Sequence, residues 1–238
     1  MIGKKPVWIP AVCCLLALAV VGASARRTAP VMSGRVENGK PVIIVDAGHG
    51  GVDGGAVASD GTVEKDINLK IALKLRDCLA AMGFSVLLTR EGDYSIHDSS
   101  AGTIRQKKVS DIKNRLKMTS DHPEALFVSI HQNTYTSSKY RGSQVLYAAQ
   151  NPKSRELAEL LQTSLRDQLQ PENTRQIKPS PKSIYLLYHM QSVGALVECG
   201  FLSNHDETQM LKSDDYQNKL AFSIACGIMD YHQMAEGG

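Results

Sequence analysis

The sequence has almost no excess of charge of either sign. Its 238 residues include 27 Lys and Arg and 24 Asp and Glu, and the first 25 residues hold two of the lysines and no acid. Binding to nucleic acid depends on basic patches, so this balance gives it no support. The sequence also lacks internal repeats and low-complexity tracts. With 21% charged and 42% apolar residues, it is typical of a globular protein with a proper core.

Cysteine is scarce and poorly spaced. Of the five cysteines, Cys13 and Cys14 lie in an apolar N-terminal segment, which leaves Cys78, Cys199 and Cys226. Three is an odd number, and none of them has the CxxC spacing of a zinc knuckle or a redox pair. Their neighbours are apolar, which predicts buried thiols that pack as small hydrophobic groups. A disulfide framework is therefore not expected.

No apolar run is long and uninterrupted enough to predict a membrane-spanning helix with assurance. Residues 1–25 instead resemble an export signal: two lysines, an apolar run from Val7 to Val21 interrupted by Pro10, and the small residues Ala23–Ala25. We favour cleavage; the alternative is an uncleaved anchor that associates the N-terminus with a membrane. Residues 26–40 are polar and aperiodic and are interpreted as a linker. The predicted catalytic domain spans 41–232, with a tail at 233–238.

Apolar β-branched runs alternate with helical patterns along the rest of the chain. This rhythm predicts a single α/β domain built on an open, mostly parallel sheet with helices on both faces. Glu64 begins the first helix, and Gly83 is placed to cap its end. The predicted strands are Val42–Val45, Phe84–Leu88, Leu126–Ile130, Ser143–Ala148 and Val193–Val197. The other predicted helices are Ile104–Met118, Ser154–Leu169 and a broken closing helix from Asn204 to about Tyr231.

Three polar residues lie at or close to the carboxyl ends of predicted buried strands: His49, His131 and Glu198. Ligands of such sheets bind outside the carboxyl ends of the strands. Glu64 ends the glycine-rich loop that starts at His49, so it can fold back over the same site. Two histidines, a carboxylate and an open position for water form a common catalytic zinc site. A further carboxylate not bound to the metal can move a proton, and Glu198 suits that role.

Each of these residues also has an ordinary structural interpretation. A histidine at a strand end can simply be hydrogen-bonded, Glu64 can favour a helix start, and Glu198 can belong to an ion pair. Together, their placement at strand ends favours the metal site. Asp46 and Asn133 are candidates for orienting an imidazole, or for ordinary turn hydrogen bonds. The remaining histidines have weaker claims: His97, His122, His189, His205 and His232.

Three segments, in this order, resemble the motifs of the zinc-dependent N-acetylmuramoyl-L-alanine amidases of the type-3 family. They are Asp46–Ala56, Ser129–Asn133 and Val197–Asn204. The resemblance covers the chain from about Pro41 to Tyr231. It implies that His49, Glu64 and His131 bind Zn²⁺, and that Glu198 is the catalytic carboxylate. The implied reaction cleaves the amide between the lactyl group of N-acetylmuramic acid and L-alanine in peptidoglycan.

The stretches Asn173–Pro179 and Ser183–Leu187 further resemble the germination-specific spore cortex amidases. Such enzymes prepare peptidoglycan for muramic lactam formation, so the resemblance implies an exported hydrolase of the cell wall or cortex space. An accessory protein is compatible with this expectation, although no residue identifies one. The sequence departs from the family pattern at Ala47, Gln132 and His205. Gln132 is adjacent to the predicted ligand His131, so we expect it either to affect metal affinity or to form part of the cleft wall.

Two rival functions remain open from the sequence. One is a catalytically silent peptidoglycan-binding module, which would be free to lose any ligand. The other is a zinc peptidase that cuts between residues of the stem peptide. Mass spectrometry of digested peptidoglycan distinguishes them, because only an amidase releases free lactyl groups together with new alanine amines.

Overall fold

Glu37 and residues 39–237 are described by a computed structural model. The predicted export signal and most of the predicted linker lie outside the described residues. None of the helices within residues 39–237 is long and apolar enough to cross a membrane.

A six-stranded sheet forms the centre of the domain, with strand order β2-β1-β3-β6-β4-β5. The strands β2, β1, β3 and β6 are parallel to one another, whereas β4 pairs antiparallel with β6 and parallel with β5. The predicted open, mostly parallel sheet is therefore confirmed. The strands are β1 (Val42–Ala47), β2 (Ser85–Leu88), β3 (Leu126–Asn133), β4 (Gln144–Tyr147), β5 (Lys178–Pro179) and β6 (Gly194–Phe201).

The described residues contain six helices, of which four connect strands and two follow the last strand. Gly83 follows the first helix with a φ of 95°, the left-handed conformation predicted for its cap. The helices are α1 (Glu64–Ala81), α2 (Ile104–Asp121), α3 (Lys153–Leu169), α4 (Tyr185–His189), α5 (His205–Lys212) and α6 (Asp214–Glu236).

The helices cover both faces of the sheet, as predicted. Alternate residues of β1 point to opposite sides, so Ile43 and Val45 join one core while Ile44 joins the other. The larger core lies between the sheet and α1, α3 and α6. The smaller core, around Phe127 and Leu187, lies between the sheet and the helices α2 and α4.

Three strands, β1, β3 and β6, are longer than predicted at their carboxyl ends. His131 lies inside β3 and Glu198 lies inside β6, rather than directly after them. The apolar pattern ends at these residues, but backbone pairing between β3 and β6 continues past them. Hydrophobic periodicity reports the buried part of a strand, not the full extent of its hydrogen bonds.

Helix α2 buries a different face from the one its apolar residues suggested. Val109 and Ile112 are exposed, whereas Asp111 and Arg115 are buried. Elsewhere, Ile184–Tyr188 is strand-like in sequence but lies mostly in the short helix α4, and the closing helix runs on to Glu236. The apolar pattern failed on α2 because its inner side faces a buried polar network.

The three cysteines of the described domain are free, so no disulfide links its parts. Cys199 is fully buried, while Cys78 and Cys226 are half-buried. The expectation of thiols without a disulfide framework is met for these three residues.

Candidate metal centre and active site

The site begins with two neighbouring strands. His131 on β3 pairs with Glu198 on β6 in the parallel register, and residues paired in this way project from the same face of a sheet. A register shift follows immediately, between His131 and Asn133. The sheet therefore places an imidazole and a carboxylate side by side on the α2 face.

Glu64 reaches these strands from the start of α1. Its Oε1 lies 3.2 Å from Nε2 of His49 and 3.0 Å from Nδ1 of His131. One ligand atom from each of the three residues lies within 4.8 Å of the others. The glycine-rich loop thus folds back so that Glu64 meets both histidines, as the sequence led us to expect.

Glycine is required where the loop passes closest to these side chains. A Cβ on Gly48 would lie 2.3 Å from Nε2 of His131, and a Cβ on Gly55 would lie 2.4 Å from Oε2 of Glu64. His49 itself has a φ of 64°, which is uncommon for a residue with a side chain. This strained backbone marks the turn that points the His49 imidazole at Glu64.

Asp53 orients the His49 ring from the side opposite Glu64. Its Oδ2 lies 3.0 Å from Nδ1 of His49, which leaves Nε2 directed at Glu64. Burial disfavours the charged form of His49, but the hydrogen bonds of Asp53 and Glu64 outweigh burial and raise its pKa to about 9. The sequence offered Asp46 and Asn133 as candidates for orienting an imidazole or for ordinary turn hydrogen bonds. The residue that orients His49 is Asp53 instead, a carboxylate four residues further along the same loop.

Asp46 instead binds a buried guanidinium. Arg115 on α2 forms an ion pair with Asp46 and a second one, of 2.7 Å, with Asp111. It also donates to the carbonyl oxygens of Ala47 at 2.9 Å and of His49 at 2.7 Å. Arg115 therefore fixes the backbone that carries His49, a role that sequence reasoning missed.

Arg90, which follows β2, supports the same backbone from a second direction. Its guanidinium donates to Ala47 O at 2.9 Å, to Gly48 O at 3.0 Å and to Lys65 O at 2.7 Å. It is only 1% exposed, and such deep burial of a charge requires this many acceptors. Arg90 thereby ties the His49 loop to the start of the helix that bears Glu64.

The Glu64 carboxylate is held by several donors. Gln132 N donates to its Oε1 at 3.0 Å, Asn68 Nδ2 to the same oxygen at 3.2 Å, and Ala56 N to its Oε2 at 2.8 Å. Burial favours the neutral form of Glu64, but hydrogen bonds from His131 and His49 outweigh it and lower its pKa. The Gln132 side chain contacts Asn68 at 3.1 Å, so this departure from the family pattern lies behind Glu64 and not on the cleft wall.

Glu198 differs from the other carboxylates of the site because one of its oxygens is buried without a hydrogen bond to any described residue. Its Oε2 is buried and has no hydrogen-bond partner in the described part of the chain. Burial raises the pKa of Glu198 to about 7, against the opposing charge of His131. A carboxyl group with such a pKa can accept and return a proton near neutral pH.

The other histidines lie elsewhere. His97 bonds to Ser95, His189 contacts the ring of Tyr185, and His232 contacts that of Phe84. His205 begins α5, where the side chain of Asn204 caps the helix. Asn204 and Glu207 have the spacing of a capping box, but only half of one forms, since the Glu207 carboxylate accepts from Gly142 N and Phe201 N instead.

The donor set fits a metal ion. Two imidazole nitrogens and one carboxylate oxygen are the ligands of many catalytic zinc sites, which keep a fourth position open. His49, Glu64 and His131 form the one such cluster among the described residues. The fold and this cluster together define an α/β protein with a candidate metal centre at the carboxyl end of a mostly parallel sheet.

Comparison with known proteins identifies the family. The model of the N-acetylmuramoyl-L-alanine amidase family matches residues 43–230, which is well over half of the chain. The chain therefore belongs to this family of amide hydrolases, and the resemblance inferred from its motifs is confirmed.

Three relatives illustrate the similarity. A germination-specific N-acetylmuramoyl-L-alanine amidase of Bacillus subtilis is 37% identical over 190 residues, which cover 80% of this chain and 79% of the relative. The solved structure of the CwlD amidase from Clostridioides difficile, in complex with the GerS lipoprotein, has 42% identity and a TM-score of 0.78, and the match covers 82% of this chain and all of that one. The catalytic domain of CwlV from Bacillus (Paenibacillus) polymyxa has 30% identity and a TM-score of 0.66, covering 81% and 98% of the two chains.

Proposed function

We propose that this protein is an exported zinc amidase that cleaves the bond between the lactyl group of N-acetylmuramic acid and L-alanine in peptidoglycan. The observation that carries the proposal is the convergence of His49, Glu64 and His131 beside the unpaired carboxylate of Glu198. The family assignment supplies the reaction class.

In this proposal the metal is held by Nε2 of His49, Nδ1 of His131 and a carboxylate oxygen of Glu64. When bound, zinc supplies a water of lowered pKa and polarises the scissile carbonyl. Asp53 and the backbone contacts of Arg115 and Arg90 keep the ligands oriented, which zinc sites require of the groups around them. The protein thus holds the reacting centre in place before substrate arrives.

Glu198 is the proton carrier. Its buried Oε2 is free to accept the proton of the attacking water and to return it to the departing alanine nitrogen. Because no hydrogen bond within the described chain satisfies this oxygen, its ionised form is not stabilised, and it remains a base strong enough for the task. Because Glu198 first takes the proton from the water and then gives it to the departing nitrogen, the same carboxylate acts as a general base and then as a general acid.

Mass spectrometry of digested peptidoglycan tests the reaction. Purified protein loaded with zinc is expected to release stem peptides with a new alanine amine and to leave free lactyl groups on the glycan. Cleavage between residues of the stem peptide would refute the amidase proposal and indicate a zinc peptidase. Binding of peptidoglycan without any cleavage would also refute the proposal and indicate a catalytically silent wall-binding module.

The relatives support a biological setting for this activity. Similarity to a germination-specific amidase supports action in the cell wall or spore cortex, where removal of stem peptides precedes muramic lactam formation. Because the related CwlD was solved with the GerS lipoprotein, we include an accessory protein of that kind as a partner. Quantifying muramic lactam in spores that lack this protein tests the setting: normal lactam content would exclude it.

A further inference from the structure

A row of polar side chains continues across the sheet beyond the catalytic carboxylate. Gln144 on β4 lies directly opposite Glu198 on β6, and residues opposite each other in an antiparallel pair share a face with Cβ atoms about 4.5–5.5 Å apart. His131, Glu198 and Gln144 therefore lie side by side on three strands. The row leads away from the metal ligands towards the edge of the sheet.

Arg175, in the loop before β5, extends this row. Its Nη1 donates to Oε1 of Gln144 at 3.1 Å and its Nε donates to Arg141 O at 2.8 Å. The guanidinium carbon lies 4.4 Å from the ring centre of Phe201 and 5.8 Å from that of Tyr140. These contacts fix the plane of the guanidinium next to Gln144.

The fixed guanidinium has an unused donor and no carboxylate of the described residues in direct contact with it. Within residues 39–237, Nη2 of Arg175 makes no hydrogen bond and no carboxylate forms an ion pair with the group. Glu207 is close enough to act on it electrostatically, but both of its oxygens accept from the backbone N–H groups of Gly142 and Phe201. Arg175 is half-buried and lines a surface cavity, so a ligand can reach it.

We infer that Arg175 binds a carboxylate of the stem peptide on the departing-amine side of the scissile bond. A planar guanidinium held in one orientation matches a carboxylate in geometry and charge. Only the peptide side can offer this group, because the lactyl carboxyl is consumed in the scissile amide. The inference rests on the proposed amidase function and assigns it a specificity-determining residue.

The spacing fits this assignment. Glu198 passes its proton to the alanine nitrogen, so that atom lies next to Glu198, and Gln144 and Arg175 come next along the row. Consecutive Cα atoms of a peptide are about 3.8 Å apart. The Cα of the second stem residue therefore follows the alanine Cα, and its free carboxylate is bonded directly to it. That group lies one residue further from the scissile bond, as Gln144 and Arg175 lie successively further from Glu198.

Two substrates that differ in one group test the inference. We would compare disaccharide tetrapeptides whose second residue is D-isoglutamate, with a free carboxylate, or D-isoglutamine, its amide. The wild-type enzyme is expected to cleave the carboxylate form with a kcat/KM about ten- to a hundredfold higher, the range of a charge-assisted hydrogen bond. Arg175→Gln should remove this preference yet keep cleavage of the amide form within about threefold, and Arg175→Lys should restore part of it.

Controls separate this role from a structural one. Arg166→Gln, at an exposed arginine of α3 paired with Asp167, should leave both rates and their ratio unchanged. A merely structural Arg175 would lower both rates together without changing the ratio. Equal rates for the two substrates in the wild type, or a preference that survives in Arg175→Gln, would overturn the inference, whereas failure to cleave either amide would overturn the proposed function instead.

Discussion

Glu198 combines a buried oxygen without a hydrogen-bond partner and a pKa raised by burial to about 7. Glu198→Gln keeps the size of the side chain but removes the base. We expect kcat to fall by roughly 10²- to 10⁴-fold, the contribution of general acid–base catalysis, with zinc content unchanged by atomic absorption. Glu159→Gln, at an exposed residue of α3, is the control and should retain full activity. Wild-type turnover in Glu198→Gln would refute the assigned role.

Asp53 orients His49 through a hydrogen bond of 3.0 Å, and in the proposed zinc site this contact would support the metal. Asp53→Asn would keep a group of similar shape near Nδ1 of His49 but remove the charge that orients the ring. We expect zinc to bind about 10- to 100-fold more weakly, as is typical when such a supporting group is lost. Competition with a chromophoric chelator measures this affinity. Asp60→Asn, in the same loop but bonded to Lys212, should bind zinc as the wild type does; equal affinity in both variants would refute the role of Asp53.

At the scale of elements, helix α2 is joined to strand β1 by a buried ion pair. Arg115 is 3% exposed and Asp46 is 1% exposed, so Arg115→Met would leave a buried carboxylate without its partner. We expect the free energy of unfolding to fall by about 3–5 kcal/mol, as measured by urea denaturation. Arg105→Met, at an exposed position of the same helix, should change it by less than about 0.5 kcal/mol. Similar losses in the two variants would contradict the structure.

The ion pair of Asp46 and Arg115 should also make the stability of the domain depend on pH. Burial favours the neutral form of Asp46, yet Arg115 and the hydroxyl of Ser129 outweigh it and lower the pKa of Asp46. Its contribution to stability is therefore complete above the ordinary pKa of about 3.9 and is lost as the pH falls through the lower folded value. Without Arg115, burial alone would raise this pKa, so Arg115→Met should lose less stability than the wild type between about pH 6 and pH 3. Parallel urea midpoints for the two proteins across this range would contradict it.

At the scale of the whole molecule, the metal centre links α1, β3 and the loop after β1. In the proposed zinc site the three ligands meet only in the folded domain, so zinc should stabilise the domain by mass action, by about 2.7 kcal/mol at a free concentration one hundred times its Kd. For a domain of this size we expect chelation to lower Tm by about 5–10 °C, with recovery when zinc is restored. Differential scanning calorimetry measures this shift, and His131→Ala should show none. Identical Tm values with and without zinc in the wild type would argue against the ligand set.

Much of the architecture could be predicted from local patterns. The start of α1 at Glu64 and its end at Gly83 follow from apolar spacing and a left-handed cap. The alternation of strands and helices predicted the sheet and its two covered faces. His49, His131 and Glu198 were singled out because polar groups stand where apolar runs stop, and Glu64 because it ends the glycine-rich loop that starts at His49. The fold brings all four together.

The parts that were missed involve partners far apart in the chain. Arg115 contacts the carbonyl of His49 across 66 positions, and Arg90 contacts Gly48 across 42 positions. Charged residues in a helix and after a strand are usually exposed, so nothing local marked these two as buried. Arg175 was part of a recognised motif, but its position beside Gln144 depends on the antiparallel pairing of β4 with β6.

The sequence by itself determined most of the strands and helices, the two-sided core and the candidate reactive side chains, because these follow from the chemistry and spacing of neighbouring residues. Only the tertiary structure decided the strand order, the register that sets His131 beside Glu198, and the left-handed turn at His49 held by buried arginines. Strand pairing and buried ion pairs depend on which distant segments meet when the whole core packs. No local pattern specifies which distant segments pack together, and at this site that packing brings four separate side chains into one centre.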